Sequence, residues 1–181
     1  MNRAEALSTV SRIILPDGFS VPQYLVESAW LDHGPFVFVL MPMLRPRTFV
    51  ELGSHNGYSY FAFCEAAKQL ALGTRCYAVD TWQGDEHAGL YAEHVFQTVN
   101  RHNELNYSAF SRLVRATFAE AVTHFEDGSI DLLHIDGRHF YDDVKEDFET
   151  WQSKLSDRAV VVFHDINVRE RGFRSEEHTS E

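Results

Sequence analysis

Only two cysteines, Cys64 and Cys76, occur among 181 residues, and both sit in apolar settings. That reads as buried reduced thiols rather than a disulfide scaffold. Long hydrophobic runs are also missing. The longest, at 36–44 (FVFVLMPML), is half a membrane span and contains Pro42, so no membrane segment is expected. The N-terminal stretch MNRAEALSTVSRII lacks the apolar centre of a signal peptide, which points to a cytoplasmic protein. Basic clusters are absent, and the formal net charge is −11. A protein that neutralises phosphates needs the opposite balance, so nucleic acid is excluded as a partner.

What remains is an ordinary globular composition, 44% hydrophobic and 24% charged, at a length suited to one domain. Helical spacing is read at 4–14 and 21–31. Five apolar strands follow, at 48–52, 76–80, 111–115, 131–136 and 159–165. Helical patterns fall between them, near 60–71, 88–104, 117–125 and 139–155. Phe140, Val144, Phe148 and Trp151 recur with the period of one helix face, with acids on the other. Such alternation predicts a mostly parallel, doubly wound α/β sheet, Rossmann-like, with helices on both faces. The expected organisation is an N-terminal helical segment over 1–33 and one ligand-binding domain from 34 to 173.

Ligands in such sheets bind beyond the carboxyl ends of the strands. Those ends carry Glu51 with a glycine loop, Asp80-Thr81-Trp82, Thr117-Phe118, Asp136-Gly137-Arg138-His139, and His164-Asp165. In VELGSHNGYS (50–59), a carboxylate precedes two glycines four apart. The dinucleotide fingerprint G-x-G-x-x-G is not matched, and a carboxylate suits a cation better than a pyrophosphate. Phe118 reads equally as a ligand contact or as a core residue opening a helix. His139 has a bland reading as a helix-start residue bonded to backbone, and His164 as a packed strand-end side chain.

E-x-G-x-x-x-G followed by an acid ending the next strand resembles the class I S-adenosylmethionine (SAM)-dependent methyltransferases. IDGRHFYDDVKED (135–147) and VVFHD (161–165) are similar to a subgroup with I-D-G-x-H-x-Y-x-x-V-x-x-D and V-x-F-H-D motifs. It includes stand-alone bacterial enzymes and domains beside glycosyltransferases. Macrolide sugar O-methyltransferases are related, as are, more distantly, catechol O-methyltransferase and a cephalosporin hydroxylase.

The resemblance implies SAM as cofactor. Glu51, Gly53, Ser54 and Gly57 would lie at its amino-acid end, and Asp80, with Thr81 and Trp82, at its ribose. Thr117 and Phe118 would lie at its adenine, and Asp136 near the methyl group. It implies a hydroxyl acceptor on a small molecule or glycan, with Asp136, His139 and His164 as catalytic residues. Mg²⁺ or Mn²⁺ would be held by Asp136, His164 and Asp165. A hydroxylase-like oxidoreductase and a silent cofactor-binding domain of a glycosyltransferase system are the alternatives, and a homo-oligomer is compatible with either. Family members continue with a helix and two further strands, whereas RSEEHTSE (174–181) resembles a translated sequencing adapter. A truncated chain with a non-native tail is therefore expected.

Overall fold

The computed structural model describes residues 21–85, 89, 90 and 92–165. The helix expected at 4–14 and the tail at 174–181 lie outside those residues.

Five parallel strands form the sheet: β1 (Thr48–Leu52), β2 (Arg75–Asp80), β5 (Ser111–Arg115), β6 (Ile130–Ile135) and β7 (Leu155–Phe163). Their order across the sheet is β5-β2-β1-β6-β7. The chain thus winds outward from β1 in one direction, then returns and winds outward in the other. The switch point falls between β1 and β6, and β7 is an edge of the described sheet.

Alternate side chains of each central strand feed different cores. Phe49, Cys76, Ala78 and Leu132 pack with α1 (Gly34–Leu44) and α2 (Tyr58–Gln69). Val50, Leu52, Val79 and Leu133 pack with α4 (Phe118–Ala121) and α5 (Tyr141–Trp151). β1 is buried at every residue, as a parallel strand covered on both faces must be. Cys64 and Cys76 are buried and free. Among the described residues no helix is long and apolar enough to cross a membrane.

Three expectations about elements fail. Residues 21–31 do not form a helix: they run irregularly to a 3₁₀ turn at Leu31–His33 and lie on the core. Gln23 N donates to Glu65 at 2.9 Å, and Trp30 is buried. The hydrophobic run at 36–44, outside every predicted helix, is instead most of α1 with Pro42 inside it. Pro42 removes one backbone donor, and the burial of Val37, Phe38 and Met41 offsets that loss. The helix read at 88–104 begins later, as α3 (Glu93–Asn106), after a small antiparallel pair, β3 (Gly84–Asp85) and β4 (Gly89–Leu90).

At the amino end of the sheet, Asp131 accepts from Arg47 at 3.0 Å and from Ser156 at 2.7 Å, with Arg158 at 3.2 Å. The Arg47 bond leads in holding its carboxyl far below the usual carboxylate range. This cluster pins β6 and β7 to the segment entering β1.

Candidate active site

The carboxyl ends of the strands enclose a cavity of about 450 Å³, open on one side. That is a usual size for a small-molecule site. Gly53 follows β1, and its N–H bonds Val79 O, while Asp136 N bonds Leu52 O and His164 N bonds Ile135 O. The strand ends are thereby fixed to one another beneath the cavity. Gly53 (φ 84°) and Gly57 (φ 83°) turn the chain in left-handed conformations that glycine adopts without steric cost. The loop 53–57 then delivers the chain into α2.

Most of the residues expected at the site line this cavity: Gly53, Ser54, Gly57, Asp80, Thr81, Thr117, Phe118, Asp136, His139, His164 and Asp165. Thr117 is also the N-cap of α4, exchanging bonds with Glu120 in a capping box. Phe118 lies against Gly137, where an added Cβ would stand 2.7 Å from its ring.

Two expected contacts are misplaced. The Glu51 side chain is fully buried behind the loop, 2.8 Å from His134 Nδ1 and bonded by Ser54 Oγ at 2.9 Å. Its carboxylate therefore does not face the cavity. Burial pushes its pKa up, His134 pulls against that, and the outcome is a raised value. Trp82 is only 1% exposed, and its indole turns inward to His55 O at 3.0 Å.

His164 and the acids do come together. His164 Nδ1 lies 3.0 Å from Asp136 Oδ1 and 3.3 Å from Asp165 Oδ1, and His139 Nε2 lies 3.6 Å from Asp165 Oδ2. Burial opposes a charge on His164, but the neighbouring carboxylates, Asp136 first, outweigh it and raise its pKa. Asp136 is held low in turn: burial raises it, and His164 with the other histidines lowers it further. His164 thus sits between two carboxylates that favour its protonated form. Among the described residues no group of three or more His, Cys, Asp or Glu is arranged to hold a metal. As arranged, the ligand set Asp136, His164 and Asp165 does not fit Mg²⁺ or Mn²⁺.

Several wall residues were not anticipated. Glu27, Ser28 and Trp30 come from the segment read as a separate helix, and His55 and Asn56 from inside the glycine loop. His134 is, with Asp131, one of two polar side chains in an otherwise apolar strand. It stands beside Glu51 in the β1–β6 register, a pairing that strand alignment makes visible.

Asp147, the last acid of the I-D-G-x-H motif, sits beneath the cavity floor, its Oδ2 3.3 Å from where a Cβ on Gly137 would stand. Burial first, then Asp143 and Glu146, raise its pKa to about 7, with Arg138 opposing. An acid raised on folding binds its proton more tightly in the folded state. Its contribution is therefore favourable at low pH and is lost as pH climbs from about 4 towards 7. Asp147→Asn should stabilise the protein at pH 8 by about 1–2 kcal/mol, after discounting for partial exposure, and hardly at all at pH 4.5. Thermal melts at the two pH values check this; an equal shift at both would mean Asp147 does not titrate as described.

A family model described as a methyltransferase domain matches residues 50–166. The uncharacterised protein y4gI of Sinorhizobium fredii (strain NBRC 101917 / NGR234) is 60% identical over 147 residues, 81% of this chain and 16% of that one. The chain thus spans about a sixth of that relative. Among solved structures, the SAH-bound methyltransferase PaMTH1 of Podospora anserina matches with a TM-score of 0.59 at 14% identity, over 92% of this chain and 63% of its own. The O-methyltransferase TomG of Streptomyces achromogenes, involved in tomaymycin synthesis and in complex with SAM, matches with a TM-score of 0.56 at 17% identity, over 90% and 65%. At these identities the likeness is one of fold.

Proposed function

Because the chain belongs to the methyltransferase domain family, we propose that it transfers a methyl group from SAM to a hydroxyl of a small molecule or glycan. The observation that carries this reading is the charge of the cavity wall. Glu27, Asp80, Asp136 and Asp165 line it, and its arginine, Arg138, is engaged by Asp143 at 3.1 Å. Such a wall suits a ligand with an ammonium and a sulfonium and disfavours a pyrophosphate. The loop 53–57 would receive the amino-acid end, Thr117 and Phe118 the adenine side, and Asp136 the region of the sulfonium.

When bound, SAM supplies the electrophilic methyl group. The chain aligns the acceptor oxygen with it and takes the hydroxyl proton. His139 is the base of this reading. It lines the cavity, and Asp165 lies on its Nε2 side to favour the imidazolium that forms. His164 lies between Asp136 and Asp165, so its role becomes holding the two carboxylates in place.

Calorimetry with S-adenosylhomocysteine (SAH), followed by methyl-transfer assays on sugars and phenols, tests the reading. His139→Ala should lower kcat by about 10²–10⁴-fold while SAH affinity stays within a few-fold. A wild-type protein that prefers NAD to SAH would remove the proposal. Loss of SAH binding in His139→Ala would remove the base assignment alone.

A further inference from the structure

Residues 21–30 alternate in exposure along the chain. Pro22, Tyr24, Val26, Ser28 and Trp30 are buried or half-buried, whereas Gln23, Leu25, Glu27 and Ala29 between them are exposed. An extended chain presents successive side chains on opposite faces, so one face of this segment lies on the core and the other looks outward. Hydrogen bonds fasten the segment to the glycine loop and the start of α2. Tyr24 Oη donates to Asn56 O at 3.2 Å, Asn56 Nδ2 donates to Glu27 O at 3.3 Å, and Tyr58 Oη donates to Leu31 O at 3.2 Å. Asn56, inside the loop, is thus tied at its backbone and at its side chain to two residues of one short segment. Pinned there, Glu27 lines the cavity beside the loop. Its charge is felt at the neighbouring histidine: burial lowers the His55 pKa, and Asp80 and then Glu27 pull it back up. No ion pair among the described residues engages the Glu27 carboxylate.

We infer that Glu27 is a ligand-binding residue whose carboxylate receives the ammonium at the amino-acid end of the cofactor. This rests on the SAM reading above, in which the loop 53–57 meets that end. The hydrogen bonds through Asn56 put Glu27 beside the same loop, and the side chain reaches the same cavity with the sign of charge an ammonium needs. An ammonium offers three N–H donors and a carboxylate only acceptors, so the two are matched in hydrogen bonding as well as in charge. Glu27 lies outside residues 50–166, the part matched by the family model. The contact is therefore a property of this chain's own N-terminal segment, added to what the loop and the strand ends contribute. Because Glu27 is exposed, the attraction is modest and screened by salt.

SAH suits the test because it carries the ammonium without the sulfonium. Its deaminated analogue keeps the nucleoside and the carboxylate, and 5′-methylthioadenosine keeps the nucleoside alone. Glu27→Gln preserves the length of an exposed side chain and removes its charge, so the fold should be untouched, as a thermal melt would verify. In calorimetry at low ionic strength, Glu27→Gln should weaken SAH about fivefold. It should leave 5′-methylthioadenosine within about twofold of wild type and the deaminated analogue bound as well as before or more tightly. The loss on SAH should shrink in about 0.5 M salt. Unchanged SAH affinity in Glu27→Gln would overturn the inference. Equal weakening of all three ligands would overturn it too, because the variant would then have altered the shape of the wall and not the contact with the ammonium. A wild type that binds none of the three removes the cofactor reading and this inference together, whereas a wild type that binds SAH with no effect of Glu27→Gln removes this inference alone.

Discussion

Gly53→Ala is expected to lose SAH binding by at least a hundredfold and to lower stability by about 2–5 kcal/mol. Two effects combine. At φ 84° an L side chain is strained. The new Cβ would also overlap the Asp136 carbonyl oxygen, lie 2.7 Å from its carbon and 3.0 Å from Gly137 Cα. All three are backbone atoms, so no rotamer change relieves the clash. Either the end of β1 or the start of the 136–139 loop must move, and those are the two ends that frame the switch point. The displacement carries Asp136 with it, so binding suffers more than stability alone would dictate.

Gly73→Ala is the control. Gly73 also has a positive φ, 72°, but an added Cβ meets nothing within 4 Å. It should cost about 1 kcal/mol from backbone strain alone and leave SAH affinity unchanged. Urea midpoints and calorimetry on the two variants make the comparison. Similar small losses in both would mean that the packing of Gly53 against Asp136 is not what the site depends on.

The contrast between these glycines shows which features the sequence carries openly. A strand buried on both faces is mostly apolar, so TFVEL and IDLLHI announce themselves, and their order with intervening helices implies a parallel sheet. A glycine pair just past a strand implies a turn with close backbone approach. Other features depend on tertiary geometry that no local pattern encodes. Pro42 punctuates a sequence, yet its helix survives because Val37, Phe38 and Met41 are buried by neighbours distant in the chain. Trp30 reads as one residue of a helical stripe, but it reaches the cavity because an irregular segment lies across α2. Asp80 is conspicuous at a strand end, whereas the direction its two oxygens face depends on where Ser54 and His55 have been turned. Glu51 had the same ambiguity. Its register with His134 draws it into the sheet instead of outward.

That register makes Glu51 the second position where a large effect is expected. Both side chains of the Glu51–His134 pair are fully buried, 2.8 Å apart, with Ser54 Oγ on the other carboxylate oxygen. Removing one member leaves the other desolvated without a partner, which typically costs about 3–5 kcal/mol. Glu51→Ala should fall in that range in urea titrations, a large part of the stability of a domain this size. Glu51→Gln keeps an acceptor for His134 Nδ1 and should cost only about 1 kcal/mol. The informative variant is Glu51→Leu combined with His134→Phe, which removes both polar groups and fills the space with apolar volume. It should recover most of what Glu51→Ala loses, because the pair's desolvation disappears together with its attraction. The same double variant decides what Glu51 does for the ligand. A carboxylate that stands behind the loop acts through packing, so SAH affinity should stay within about fivefold of wild type once the fold is restored. A stable double variant that no longer bound SAH would show that the buried charge itself is what the cofactor senses.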